Sequence, residues 1–307
     1  MATHREISTD RYSYVFSPYA EPIASVRPGE TVTIVTEDAF ESRITSERDL
    51  PSQVLNFPFL NPQTGPIVVE GAQPGDTLVV EILGIEFTRD WVASAHIPFF
   101  GGLTGTADTA LLNEPLPERV FIYPLRDGHV ELPRGIRVPV HPFLGTIATA
   151  PQIEAIAALV PGDFGGNMDV PDTCVGNTVR LPVRVPGAYF FTGDVHAAQG
   201  DGELCGVACE VTAKVTLRFG LEQGRTIAWP RIESPTELMT VGSSRPLEDA
   251  ARIAWVELIG WLEADYGFDR WEAYQLLTQA GRMRLGNMVD PKYSMVARIE
   301  KRFLPSR

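Results

Sequence analysis

From the N-terminus to about residue 224 the chain is a succession of short runs rich in Val, Ile, Leu, Phe and Thr, each closed by Gly or Pro. Such runs between turn residues predict strands. Thr31-Val32-Thr33-Ile34-Val35 follows Arg27-Pro28-Gly29-Glu30, and Thr77-Leu78-Val79-Val80-Glu81-Ile82 follows Gln73-Pro74-Gly75-Asp76. The repeated Pro-Gly-acid step is either the trace of a duplication or the favoured chemistry of a turn with Pro second and Gly third. Val179, Leu181, Val183 and Val185 alternate with Arg180, Pro182 and Arg184, which predicts a half-buried or edge strand. From Pro246 the period lengthens: Leu247 to Ile259 places apolar groups at three- and four-residue intervals after a Ser-Ser start, predicting a helix. A second helix is expected from Asp269, as cap, through Arg284, with Trp271, Tyr274, Leu277 and Thr278 on one face and Gly286 ending it. A short helix is expected over Gln152 to Leu159, between two prolines. No period long enough for a coiled coil or solenoid is present. The expected fold is therefore a β-rich α+β class, with a mixed β-sandwich or barrel-like core. A β-rich region over 1–224, one unit or two intertwined subdomains, carries a helical segment over 225–307.

Composition narrows the partners. With 307 residues the chain is long enough for a large packed core. A net charge of −13 repels phosphate backbones and anionic lipid heads, so neither nucleic acid nor membrane is an expected partner. The surplus is uneven: residues 1–224 carry 14 Lys/Arg against 28 Asp/Glu, and residues 225–307 carry 12 against 11. There is no run of eighteen apolar residues and no leader-like start, so a soluble, cytoplasmic protein is expected. The three cysteines, Cys174, Cys205 and Cys209, are too few for a disulfide framework, and Cys205-x3-Cys209 lacks a zinc site's four-ligand spacing. Reduced core thiols are the simplest reading.

Candidate chemistry concentrates in two glycine-dense segments, PGDFGGNMD from Pro161 and GDVHAAQGDGE from Gly193. Glycine there lets the backbone turn sharply and approach a ligand. If Tyr189 to His196 is a strand, Asp194 and His196 leave the same face, and a carboxylate beside an imidazole suits a divalent ion such as zinc. Asp-x-His alone is as easily a surface hydrogen-bonding pair. However, His196 is the histidine surrounded by acids: Asp194, Asp201, Glu203 and Glu210. Converging carboxylates repel unless a cation or shared protons neutralise them. A solvated acidic turn suits Asp201 better than Glu203, which leads into the apolar Leu204 to Ala208. Asn167 and Asp169 form either a turn with Asn in a left-handed conformation or a substrate contact and a third metal ligand. His96 is either a core histidine or a ligand or substrate contact, and Glu70 lines the site or caps a turn. Phe99, Phe100, Phe190 and Phe191 wall a small pocket or fill the core. His4, His129 and His141 receive no assignment.

Other hydrolytic plans lack their parts. Gly242-Ser243-Ser244 precedes Arg245-Pro246 and reads as a helix cap rather than the serine loop of a Ser-Ser-Lys amidase. The only lysines, Lys214, Lys292 and Lys301, give no pocket sequence for a Glu-Lys-Cys nitrilase. GxSxG, GxxxxGK[ST] and GxGxxG motifs are absent.

Taken in order, TGPIVVEGAQPGDTL from Thr64, FGGLTG from Phe100, FLGTIATAP from Phe143, PGDFGGNMD and GDVHAAQGDGE resemble the acetamidase/formamidase family, in its shorter, acetamidase-like branch, over roughly residues 5 to 225. The resemblance implies a β-rich fold, a divalent metal usually taken as zinc, and hydrolysis of short amides to carboxylic acid and ammonia; some relatives open cyclic amides. Asp194 and His196 fall on the family's Gly-Asp-x-His motif, Glu203 on Gly-Asp-Gly-Glu, and Asn167 and Asp169 on Gly-Gly-Asn-Met-Asp. Many relatives have His-Pro where this chain has Asn61-Pro62. On this basis Asp194, His196 and Asp169 are the expected metal ligands and Glu203 the expected proton carrier. Asn167 is expected to bond the substrate amide or oxyanion, with His96, Glu70 and Phe100 around the substrate. A homo-oligomer is expected. The alternatives are a cyclic-amide hydrolase and a non-catalytic β protein that binds a cation, calcium if carboxylates dominate, or a small ligand.

Overall fold

The computed structural model describes residues 4–104 and 114–306; Gly105 of the FGGLTG segment lies outside them. A nine-stranded sheet has the spatial order Arg5–Ile7, Thr31–Thr36, Ala213–Glu222, Thr77–Phe87, Thr178–Pro182, Arg231–Glu233, Glu237–Ser244, Tyr293–Glu300, Arg282–Asn287. A five-stranded sheet runs Gly165–Asn167, Phe143–Ala148, Phe190–His196, Gln63–Val69, Ala24–Val26. Their facing side chains fill one core: Val32, Ile34, Val80, Val215 and Leu217 from the first sheet meet Ile67, Val69, Leu144 and Val195 from the second. Phe190 and Phe219 pack edge to face across it, centroids 5.0 Å apart. This is the β-rich sandwich with mixed sheets that the alternation predicts. Strands on both sides of residue 225 hydrogen-bond within the larger sheet. Among the described residues no helix is long and apolar enough to cross a membrane.

The two Pro-Gly-acid turns are built alike. Glu30 N–H donates to Arg27 O at 2.9 Å and Asp76 N–H to Gln73 O at 3.0 Å, with Gly29 and Gly75 at φ +89° and +96°. In each, the acid's side chain accepts from the first residue's N–H, at 2.9 and 2.8 Å. The strands they launch flank Ala213–Glu222 on either side. Thr178–Pro182 buries Val179 and Leu181 and lies between Thr77–Phe87 and Arg231–Glu233, so it is an interior strand rather than an edge.

The helices differ in detail from their sequence patterns. Leu247–Tyr266 begins with Pro246 as a cap without a side-chain bond, and Gly242-Ser243-Ser244 is the end of a strand rather than a cap. Arg270–Ala280 has the expected start: Asp269 accepts from Trp271 and Glu272 N–H, and Glu272 accepts from Asp269 N–H. It stops at Gly281, not Gly286, because Arg282–Asn287 leaves as an edge strand on Tyr293–Glu300. Its buried face is Ala273 and Leu277, and Trp271 and Tyr274 are exposed. Gln152 to Leu159 is not helical. Ile156–Ala157 pairs with Val15–Phe16 and Ala158 is buried against Phe16 and Phe164, so burial in a small apolar cluster outweighs a helix too short to stand alone.

The helices cover the outer face of the large sheet, where Leu238, Ala297 and Ile299 meet Leu258, Trp261 and Leu277. Contact is closest at Gly242, where an added Cβ would lie 2.2 Å from Ala250 O and 2.7 Å from Ala254 N. At Gly260, within the same helix, a Cβ would meet nothing within 4 Å. The same substitution therefore has opposite signs. Gly242→Ala is expected to destabilise by about 1–3 kcal/mol through overpacking, and Gly260→Ala to stabilise by about 0.5–1 kcal/mol through helix propensity. Paired urea melts check both; a neutral Gly242→Ala would contradict the close docking of helix on sheet.

Candidate active site

The site grows from the middle of the five-stranded sheet. Phe143–Ala148 runs antiparallel between Phe190–His196 and Gly165–Asn167, with Thr146 opposite both Gly193 and Asn167. Gly145 leaves a space there: an added Cβ would stand 2.6 Å from Asp194 Oδ2 and 2.8 Å from Asp169 Oδ1. The missing side chain is what lets Asp194, on the neighbouring strand, and Asp169, in the loop after Gly165–Asn167, converge. Asp169 is held to this strand by its own N–H, which donates to Gly145 O at 3.1 Å.

His196 projects beside Asp194, as the two-residue strand spacing predicts, with Nε2 3.3 Å from Asp194 Oδ1. Glu210 arrives by an isolated antiparallel bridge to His196, and its Oε1 is also 3.3 Å from Nε2. The other ring nitrogen, Nδ1, lies 2.8 Å from Gln199 Oε1. The Gln199 amide donates to Asp169 O and Gly286 O, so its oxygen must face the ring and Nδ1 must donate. Gln199 thereby leaves the Nε2 lone pair of a neutral imidazole directed at the carboxylates.

Asn167 sits at the centre of a closed network. Its amide donates to Asp169 Oδ2 at 3.1 Å and Asp290 Oδ2 at 2.9 Å, and its oxygen accepts from Thr146 Oγ1 and Asn61 Nδ2 at 2.6 and 2.9 Å. Both donors and both acceptor positions thus have partners inside the protein, while Asn167 also lines the adjoining cavity. Asn61, where many relatives have histidine, also donates to Asp194 Oδ2 at 3.2 Å. Asn287 donates to Asp169 Oδ2 at 3.3 Å. Asn61, Asp169, Asp194 and Glu203 all take left-handed φ between 49° and 57°. Such conformations outside glycine cost of order 1 kcal/mol each and mark functional sites.

Asp169, Asp194, Glu203, Glu210 and Asp290 are all buried around the one imidazole. Burial first, then Asp290 and Asp194, pushes the Asp169 carboxyl well above the carboxylate range. Burial followed by Asp169, Asp290 and Glu210 does the same to Glu203, and burial followed by Asp194 to Glu210. Asp290 is pushed up to about 7, chiefly by burial. Burial would also raise Asp194, but the His196 charge and hydrogen bonds from His196, Glu210 and Asn61 outweigh it and hold Asp194 low. For His196, burial pulls downward and Asp194 more than compensates, so the ring binds its proton more tightly than usual. These directions describe a cluster with too few cations of its own.

The donor set fits a divalent ion. Asp169 Oδ1 and Glu210 Oε2 are buried and accept no hydrogen bond from the described residues. Two sets bring one ligand atom per residue to within 4.8 Å of each other: Asp169, His196, Glu203, and Asp194, His196, Glu210. Each joins the expected histidine and one expected aspartate to a glutamate. One nitrogen with carboxylate oxygens is a donor set that could hold a metal ion.

Above the cluster opens a cavity of about 240 Å³, with Asn61, Asn167, Asp194, Glu203, Glu210 and Asp290 at its polar end. Phe99 and Phe100 line it, as expected for Phe100. Phe190 and Phe191 belong to the core instead. His96 is not among the lining residues: it ends a strand of a separate four-stranded sheet and packs edge-on against Phe121, centroids 4.9 Å apart. Glu70 is exposed beyond the end of its strand, 3.7 Å from Arg27, in a turn that solvent reaches. Asp201 pairs with Arg284 at the surface, 2.7 Å away. Sequence reasoning missed Gln199, Asn287 and Asp290. Gln199 carried a usable signal, a polar side chain three residues after His196 in the same motif. Asn287 and Asp290 carried none, since they arrive through a long-range bridge between Gly202 and Asn287.

The three cysteines are free thiols. The acetamidase/formamidase family matches the chain over residues 5–159 and 153–299. An acetamidase structure from Yersinia enterocolitica superposes with a TM-score of 0.96 at 45% identity, covering 99% of this chain and 94% of that one. The Mycolicibacterium smegmatis acetamidase is 26% identical over 325 residues, covering 87% of this chain and 78% of its own length. The Methylophilus methylotrophus formamidase is 25% identical over 252 residues, covering 65% of this chain, which spans only 61% of that formamidase. With its motifs gathered in one buried cluster and the family matched along nearly its whole length, the chain belongs to the acetamidase/formamidase family.

Proposed function

We propose that this chain is an amidase that hydrolyses a linear, acetamide-like primary amide to carboxylic acid and ammonia, with a divalent ion, zinc by donor type, held at His196. The observation that carries the reading is the buried imidazole–carboxylate cluster, with unsatisfied oxygens, at the floor of a cavity. Asp194 and Glu210 complete the preferred ligand set because both line the cavity and both approach Nε2. Asp169 lies behind them, fixed by Asn167 and Asn287, and acts through their placement. A bound ion supplies a Lewis acid that polarises the amide carbonyl and lowers the pKa of water to about 7.

The remaining chemistry belongs to side chains. Hydrolysis forms a carbon–oxygen bond from water and breaks carbon–nitrogen, and nitrogen must leave as neutral ammonia, so one group has to take the water proton and return it to nitrogen. Glu203 faces the cavity with a carboxyl whose proton affinity is raised by burial and by its acidic neighbours, which suits both halves of that transfer. Asn167, which also lines the cavity, keeps Asp169 and Asp290 in place. Gln199 fixes the ring so that Nε2 faces the ligand side. The apolar walls exclude water from the reacting carbonyl.

Three variants separate these roles. His196→Ala is expected to lose bound metal and activity together, and Glu203→Gln to retain metal while losing activity by about 10²–10⁴-fold; elemental analysis beside ammonia assays reads both. If Glu203→Gln also loses metal, the set of Asp169, His196 and Glu203 holds the ion instead. Gln199→Leu is expected to weaken metal binding by about 10–100-fold, measured by competition with a chelating dye. Ammonia release from acetamide should cease with chelator and return with added zinc. A non-catalytic binding protein would release none from linear or cyclic amides even with metal restored.

A further inference from the structure

The cavity is larger and drier than acetamide requires. Its volume is about 240 Å³, many times the space that a single water needs. Acetamide has four non-hydrogen atoms and offers the walls one methyl group. Away from the polar floor those walls are Phe40, Leu60, Ile97, Phe100, Leu159 and Val207. They come from separate segments, and Phe40 and Val207 are themselves packed in a further apolar cluster with Ile44 and Ala95. The Phe100 ring is seated against Gly206, where a Cβ would lie 2.4 Å from its Cε1, so the loop carrying Glu203 and the aromatic wall are fitted to one another. Among the described residues no Lys or Arg lines the cavity, and every charged group that does is a carboxyl.

Building on the amide-hydrolysis reading, we propose that the substrate's acyl group is neutral and apolar with about six carbons, a straight chain or a single ring, held between Phe100, Leu159 and Val207. The amide end lies at the carboxyl-rich floor beside Glu203, and the carbon chain points along the apolar walls. Formamide leaves those walls empty. A second carboxylate on the chain would enter a space lined by acids and apolar groups with no cation to meet it.

The test is a substrate series on the purified, zinc-supplied full chain: formamide, acetamide, butanamide, hexanamide, benzamide and the monoamide of adipic acid, read by ammonia release. kcat/KM is expected to rise about fourfold per added methylene, reaching about 250-fold between acetamide and hexanamide, four methylenes apart. The adipic monoamide should fall at least tenfold below hexanamide. Leu159→Trp, which fills the cavity, should reduce the hexanamide-to-acetamide ratio by tenfold or more. Turnover of acetamide or formamide with a decline toward hexanamide overturns the acyl-group proposal and leaves the amidase reading standing. No ammonia from any member overturns the amidase reading and the proposal with it. An unchanged ratio in a folded Leu159→Trp enzyme also overturns the proposal, and the wild-type series decides the question if that variant does not fold.

Discussion

Five buried carboxyl groups cannot surround one imidazole as five anions. At the separations seen here, with Asp194 and Glu210 both within 3.3 Å of His196 Nε2, each negative charge raises the proton affinity of the next. A cation or retained protons relieve the repulsion. Gly145 and the left-handed Asn61, Asp169, Asp194 and Glu203 accompany acids that stand closer together than their charges favour.

The sheets supply the stiffness that this arrangement requires. Gly145 sits between Asp169 and Asp194 on a strand buried along its whole length, and the smaller sheet is backed by a core shared with the larger one. The helices close the far side of that larger sheet. A site assembled from loops alone would relax outward under its own repulsion; here Asn167, Asn61, Asn287 and Thr146 bind the acids to strand backbones and to one another. Neutral amides are well suited to that task because they satisfy carboxylate oxygens without neutralising the charge that attracts an ion.

What the sequence disclosed follows physical range. Asp194 and His196 were legible because strand geometry fixes residues two apart, and Asp169 and Glu203 because glycine-dense motifs surround them. The opening Pro-Gly-acid turns were legible for the same reason: their chemistry is contained in four residues. Asp290 and Asn287 were not, since their place depends on a bridge to Gly202 far away in the chain. Glu210 was visible only as a nearby acid, and its bridge to His196 gave it a place in the cluster. Local pattern also misled where tertiary contacts decided the outcome. Gln152 to Leu159 gave up helix for burial beside Phe16, and Arg282 to Asn287 became an edge strand because Tyr293–Glu300 offered a partner. His96 and Glu70 were plausible by residue type alone, and only the sheets to which they belong separated them from the cavity.

The bridge between Gly202 and Asn287 has a consequence for biosynthesis. A polypeptide leaving the ribosome from its N-terminus exposes Asp169, Asp194, His196, Glu203 and Glu210 well before Asn287 and Asp290 emerge. Until then Asn167 has no Asp290 to bond, and Gln199 rests on the Asp169 carbonyl without that of Gly286. The ligand atoms themselves thus emerge ahead of the groups that brace them, and the segment carrying Gly286, Asn287 and Asp290 adds the last hydrogen bonds around an already present set.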